Sequence, residues 1–370
     1  MKLTDISNDI NEWFGGSGPM SDVVISSRIR LARNLAGFKF LSHCSTSEKS
    51  EILNKLKDIL MSLNLGDKVF YISVDKTPTL NRHLLVERHL ISHNHAFGKG
   101  PRGAVIAHRE FFTAMINEED HLRLQVLKAG CQLSGCLDQI NHIDDMIEQK
   151  VDYAFSPRYG YLTACPTNLG TAIRVSVMLH LPALKMTGQI EKFLRATKDM
   201  SLAVRGLFGE GTEAASDFYQ LSNQVTLGIS EKDIVSQFEG SIIPEIVEYE
   251  NAARKRLLSE DADLLNDKIS RAMALLQSAH LISSQEALYL LSHLRLGLNM
   301  HEHMGASTPA IDRLSQLSDA DGKGSISIAT INRLFLLTLP AHLQLNYGKP
   351  LDSTHRDALR AQIIRSALNG

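Results

Sequence analysis

Apolar residues recur along the chain in two rhythms, and the rhythm changes near residue 240. Before that point, segments 69–74, 103–107, 111–116 and 224–227 are short, rich in β-branched and aromatic residues, and read as strands. Residues 47–63 open on a serine with acidic neighbours and repeat Ile52, Leu56, Ile59, Leu60 and Leu63 at helical spacing. Segments 119–131 and 170–181 read as helices too, the second stopping just before Pro182. Strands and helices do not alternate as βαβ units would. The pattern therefore predicts an α+β fold with a mainly antiparallel sheet flanked by helices.

Beyond residue 240 strand signals almost vanish. Segments 243–258, 264–279, 284–296, 328–339 and 352–368 carry helical periodicity, which predicts a mixed domain over 1–240 and an all-helical one over 241–370. The stretch 299–327, rich in Gly, Ser, Asp and His, predicts a long loop. Within it the run from Asp319 mimics a calcium loop. Lys323 stands at its fifth position and Thr330 at the twelfth, where a bidentate Glu belongs, so no metal site is predicted.

The 370 residues are 44% hydrophobic, ample for a packed core. Lys and Arg number 39 against 41 Asp and Glu, so there is no global basic field of the kind that drives nucleic-acid binding. No apolar run is long enough for a membrane span and no leader pattern opens the chain, and four scattered cysteines read as reduced thiols. A cytoplasmic protein without membrane or nucleic-acid partners is expected.

Any polyanion must be bound locally, and arginines cluster at four places. Arg28 and Arg30 are spaced by two, which puts both on one face if the segment is extended; Arg33 falls off that pattern. Taken alone such a run is equally an ordinary solvated basic face. Arg123 follows an acidic cluster, Arg174 follows the turn signals of Pro166, Asn168 and Gly170, and Arg205 precedes three glycines and Glu210. If 170–181 is a helix, its first-turn N–H groups could also meet an anion. Neither the Gly-x-x-x-x-Gly-Lys-Ser/Thr phosphate loop nor a glycine-rich loop paired with a strand lysine occurs.

Together these clusters resemble the ATP:guanido phosphotransferases, the phosphagen kinase superfamily, over roughly residues 20–230. The likeness is greatest to the branch that phosphorylates protein arginine, through 24–34, 89–92, 176–184 and 219–224. The resemblance implies nucleotide contacts at Ser26, Ser27, Arg28, Ile29 and Arg30, at His89 and Arg123, at Arg174, Val175, Ser176, Val177 and Met178, and at Arg205, Gly206, Leu207, Phe208, Gly209 and Glu210. It implies that Glu119 and Glu210 hold the acceptor guanidinium, that Cys165 lies near it, and that Mg²⁺ bridges the phosphates of ATP. The chemistry is coherent. A guanidinium is a poor nucleophile, and two carboxylates can align it and take its proton while arginines neutralise the transferring phosphoryl group.

Small-phosphagen kinases begin with a helical domain of about 100 residues, for which the 25 residues before Ser26 leave no room, so a polypeptide-borne arginine is the expected acceptor. Near the other end, Arg356, Asp357, Arg360 and Ala361 match the branch's Arg-Asp-x-x-Arg-Ala phosphoarginine-binding motif, with the two arginines one helical turn apart. The resemblance further implies autophosphorylation, a homodimer, marking of targets for a Clp-type ATPase, relief of a heat-shock repressor and an activator protein. Two alternatives are a free-arginine kinase of the same fold and a non-catalytic phosphoarginine-binding adaptor.

Overall fold

The computed structural model describes residues 11–66, 68–206, 217–317 and 325–369. An eight-stranded antiparallel sheet in the order β2-β3-β4-β5-β1-β8-β10-β9 organises the first two thirds of the chain. Its strands are β1 (Val24–Arg33), β2 (Val69–Ser73), β3 (Gly103–Ala107), β4 (Phe112–Ile116), β5 (Leu122–Ala129), β8 (Ile173–His180), β9 (Leu202–Gly206) and β10 (Phe218–Asn223). The two-residue strands β6 (Phe155–Ser156) and β7 (Gly160–Tyr161) form a separate hairpin. The α+β expectation holds.

Three segments differ from the sequence reading. Residues 119–131 and 170–181 supply strands β5 and β8, not helices. In β8 Ile173, Val175, Val177 and Leu179 lie on one face, while Arg174, Ser176, Met178 and His180 lie on the other, a period of two. Both faces are largely buried, so apolar residues also fall by chance at helical intervals. The expected strand at 224–227 is displaced: Phe218–Asn223 pairs, whereas Val225 and Leu227 are exposed.

The apolar side of the sheet packs on the helix Leu133–Glu148, which buries Leu133, Cys136, Leu137, Ile140, Ile143 and Ile147. Each such side chain contributes roughly 1.5–3 kcal/mol. Arg33 belongs to this side: its Nη2 meets Asp144 Oδ2 at 2.7 Å, both groups are buried, and its guanidinium stacks on Tyr161 at 3.6 Å. The helix Thr46–Ser62 starts on a reciprocal cap, with Ser45 Oγ accepting from Glu48 N at 3.2 Å and Glu48 Oε2 accepting from Ser45 N at 2.7 Å.

After residue 230 every described element is helical. The loop expected over 299–327 is shorter than predicted: Ser284–Met304 runs six residues into it and Pro309–Ser315 forms another helix. Residues 318–324, which carry most of the calcium-loop mimic, lie outside the described part. The helical region is keyed into the sheet region by polar anchors. Arg295 donates to the carbonyls of Ser21 and Asp22 at 2.8 and 3.2 Å, and Glu250 accepts from the N–H groups of Ala183 and Leu184. Glu87 accepts from Ala341 N, His342 N and His342 Nδ1 at the start of Pro340–Tyr347.

Candidate active site

Residues directly paired across antiparallel strands point to the same side. The register sets Arg30 beside Arg174 and Gln125, Arg28 beside Ser176 and Leu127, and Ala32 beside Arg123. Met178 pairs with Gln220, and Gln220 with Arg205. Five arginines from four strands thus share one sheet face, opposite the helix that holds Asp144.

Burial and the charges of Arg123, Arg174 and Arg205 pull Arg28 down to about 9. Burial and the neighbouring Arg28, Arg123 and Arg174 take Arg30 well below its ordinary value, with Glu118 opposing. Arg28 Nε donates to Ser176 Oγ at 3.3 Å and Arg174 Nη2 to Ser222 Oγ at 3.0 Å. Arg30 Nε and Nη2 are buried without a hydrogen-bond partner. This arrangement is costly in isolation and is relieved by a polyanion.

His89 closes one end of the face. Its φ of +57° is left-handed, an uncommon state for a residue with a Cβ, and Gln125 Nε2 donates to its carbonyl at 2.7 Å. Burial and the charges of Arg28 and Arg30 bring its imidazole down to about 3, so it is neutral. A narrow crevice runs between Trp13, Ser26, Arg28, His89, Ser176 and Met178.

The β4–β5 turn brings carboxylates to the other end. Asn117 takes the left-handed conformation at φ +62°, which Asn tolerates, and its side chain donates to the carbonyls of Lys49 and Pro101. Glu118 turns inward: Arg123 Nη1 and Ser92 Oγ donate to it at 2.8 and 2.6 Å. Burial opposes its charge, but Arg123 and these hydrogen bonds outweigh it and hold Glu118 near 2. Glu119 turns outward and is raised by partial burial and by Asp120 and Glu118. Asp120 Oδ1 accepts from Ala164 N at 2.7 Å and Asn34 Nδ2 at 2.6 Å, which clamps the Glu119 turn to the segment carrying Cys165.

Cys165 is half-buried with its Sγ 3.0 Å from Thr167 Oγ1. No helix N-terminus is offered by the glycine that follows: Gly170 leads into β8, and its φ is +103°. A Cβ there would meet Thr226 O at 2.5 Å, so only glycine fits. Arg205 and Gly206 end β9, whereas Leu207, Phe208, Gly209 and Glu210 lie outside the described residues. Ser27, Ile29, Val175 and Val177 point to the apolar side and contribute backbone to the site.

Arg356, Asp357, Arg360 and Ala361 fall on the helix Ser353–Leu368, but the two arginines do not form an open fork. Arg360 is 1% exposed and donates to Thr338 O and Ile282 O at 2.8 Å each and to Asp357 Oδ1 at 2.5 Å. Arg356 donates to Leu351 O at 2.6 Å, and Ala361 is buried. Arg360 is thereby an internal anchor, since a helix-face reading ignores the carbonyls left by neighbouring helix ends.

Sequence reasoning missed Trp13, Gln220 and Ser222 and gave Glu118 no role. The only tryptophan of the chain was a usable signal for the first; the others are legible only once β10 is paired.

The chain matches the family described as ATP:guanido phosphotransferase, C-terminal catalytic domain, over residues 51–253. It also matches the protein-arginine kinase McsB C-terminal domain over 262–320 and 319–370. A protein-arginine kinase of Halothermothrix orenii is 42% identical over 370 residues, all of both chains. One of Bacillus pumilus is 40% identical over 368 residues, 98% of this chain and 94% of that one. Among solved structures, the duplicated taurocyamine kinase of Schistosoma mansoni with bound transition state analog components superposes with a TM-score of 0.58 at 27% identity, over 65% of this chain and 34% of that one. Lombricine kinase gives 0.55 at 26% identity, over 67% of this chain and 70% of that one.

Proposed function

The chain belongs to the ATP:guanido phosphotransferase family, as one of its protein-arginine kinases, and we propose how its own residues divide the work of that reaction. The enzyme transfers a phosphoryl group to arginine side chains of proteins. In our reading the γ-phosphorus of ATP forms a bond to a guanidinium nitrogen, its bond to the β-γ bridging oxygen breaks with the electron pair leaving on ADP, and the guanidinium proton passes to a carboxylate.

The observation that carries this division is the shared face of Arg28, Arg30, Arg123, Arg174 and Arg205 ending at the Glu118–Glu119 turn. The unpartnered buried nitrogens of Arg30 fit phosphate oxygens. Mg²⁺, which supplies charge neutralisation when bound, fits as an ion held by nucleotide phosphates and water, because the described residues contain no group of three His, Cys, Asp or Glu side chains able to hold a metal.

Glu119, with its raised pKa and outward position, is the base that takes the guanidinium proton; Glu118 stays ionised and holds Arg123 toward the phosphates. We assign Glu210 as the second carboxylate and Leu207, Phe208 and Gly209 to the nucleotide, on the resemblance alone. Cys165 borders the acceptor.

We divide the chain into catalytic residues 1–240 and a helical part, 241–370, that binds phosphoarginine, with Arg356 contacting the phosphoryl group and Arg360 fixing Asp357 for the guanidino group. On the resemblance alone we extend the reading to autophosphorylation, a homodimer, a Clp-type ATPase, a heat-shock repressor, an activator and a cytoplasmic location. No helix among the described residues is long and apolar enough to cross a membrane.

The test is incubation with ATP and either free arginine or an arginine-rich unfolded protein, followed by mass spectrometry before and after acid. Acid-labile phosphate on protein arginine is expected. Product on free arginine alone would overturn the acceptor assignment, and phosphoarginine binding without ATP turnover would favour a non-catalytic adaptor.

A further inference from the structure

Trp13 is the only tryptophan in the chain, and it lies in the short helical turn Glu12–Phe14, before the first strand of the sheet. It is 2% exposed, yet it lines the crevice beside Arg28, His89, Ser176 and Met178. Its ring stands edge-on to His89, with centroids 5.4 Å apart at 83°. Its Nε1 is buried and has no hydrogen-bond partner. Buried indole N–H groups ordinarily find an acceptor, because leaving one unmet costs about 1–3 kcal/mol.

The position is held from behind. Phe14, the next residue, packs on Phe218 and Phe335 with centroids 6.4 and 6.3 Å away, and its carbonyl accepts from Asn332 Nδ2 at 3.0 Å. Trp13 is therefore fixed by the sheet and the helical region together. Its orphaned donor is not the result of a loose segment.

We propose that Trp13 is a nucleotide-binding residue whose indole N–H donates to an acceptor on the base or ribose of ATP, with His89 as the neighbouring wall. The choice of the nucleoside part follows from charge. Phosphate oxygens in this crevice already have several guanidinium donors, whereas the indole and the neutral imidazole of His89 offer uncharged surface suited to an uncharged partner. This inference rests on the nucleotide assignment made above and adds to it a contact from outside the strands that carry the arginines.

A sole tryptophan makes the test direct. Indole emission of the full chain is followed during titration with ADP, adenosine and tripolyphosphate. ADP and adenosine are expected to shift or quench it; a response to tripolyphosphate alone, or none to saturating ADP, overturns the proposal. Trp13→Phe keeps the ring and removes the donor. It is expected to raise KM for ATP three- to tenfold, as one lost hydrogen bond does, with kcat and the KM for the protein acceptor unchanged. An unchanged KM for ATP with a lowered melting temperature would assign Trp13 to packing alone and refute the contact. The emission titration reads binding without turnover, so an enzyme that answered ADP yet left protein arginine unmodified would overturn the proposed function and leave the Trp13 contact standing.

Discussion

Replacing Arg30 with methionine is expected to make the empty protein more stable and the enzyme nearly inactive. Arg30 is buried, two of its nitrogens have no partner, and Arg28 lies two residues along the same strand face. Two strand positions are roughly 7 Å apart, and two unit charges at that distance in an effective dielectric near 20 repel by about 2 kcal/mol. Unmet buried donors add about 1–3 kcal/mol, while the nearby Glu118 offsets part of both. Methionine fills a similar volume without charge, so a net gain of about 1–3 kcal/mol is expected in urea unfolding without nucleotide. Activity should move the opposite way, falling at least about 100-fold, because a fixed donor to the transferring group is gone. ATP at 100 times its Kd stabilises a binding-competent protein by about 2.7 kcal/mol, and that increment should shrink in the variant. Loss of stability in the nucleotide-free variant would refute the view that these arginines are held apart from their partner at a cost.

Glu119→Gln should lower kcat by about 100-fold or more while leaving ADP binding intact, measured by steady-state kinetics alongside an ADP titration. A parallel loss of nucleotide affinity would argue against its role as base. Asp144→Ala leaves Arg33 buried without its carboxylate and should cost about 3–5 kcal/mol in urea unfolding, with the activity per folded molecule retained. Acid should destabilise the fold below pH 6.5. His89 at about 3 and His95 at about 4, both lowered first by burial, stay neutral when folded but take up a proton when unfolded. Between roughly pH 6 and 4 each therefore removes about 1.4 kcal/mol per pH unit. Glu250, raised by burial to about 6, binds its proton in the folded state and works the other way over a narrower window. A melting temperature that stayed level from pH 6.5 to 5 would contradict the balance of these groups.

The helical half was readable because its helices are amphipathic, with apolar positions at one spacing and a long polar stretch between. The central strands were harder. Leu122–Ala129 and Ile173–His180 are buried on both sides, and such strands lose the polar alternation by which a half-exposed strand announces itself. Arg174, Ser176, Arg123 and Gln125 were the surviving polar positions, and they are polar because they form the site. Read as helices, those segments scatter the arginines by angle; paired as strands, they line them up. The pairing that decides this is long-range, with Arg28 and Ser176 separated by 148 residues, and no local window contains it. The same limit hid the burial of Arg360, whose partners Ile282 and Thr338 are 78 and 22 residues away.

The residues that frame the site share a further property, which is that the backbone is forced at them. His89, Asn117 and Ala172 all have positive φ, at +57°, +62° and +54°, although each carries a Cβ. Conformations of this kind cost of order 1 kcal/mol and persist only where the surroundings over-determine them. Here the surroundings are visible: Gln125 grips the His89 carbonyl, Lys49 and Pro101 grip the Asn117 side chain, and the Ala172 carbonyl accepts from Ala32 N at 3.1 Å. Each strained residue stands next to a group with a chemical task, the imidazole wall, the paired carboxylates and the entry to Arg174. Strain and like-charge repulsion thus fall on the same few residues, and the apolar packing of the opposite sheet face, centred on Val175, Val177 and Leu179, holds them in place before any nucleotide arrives.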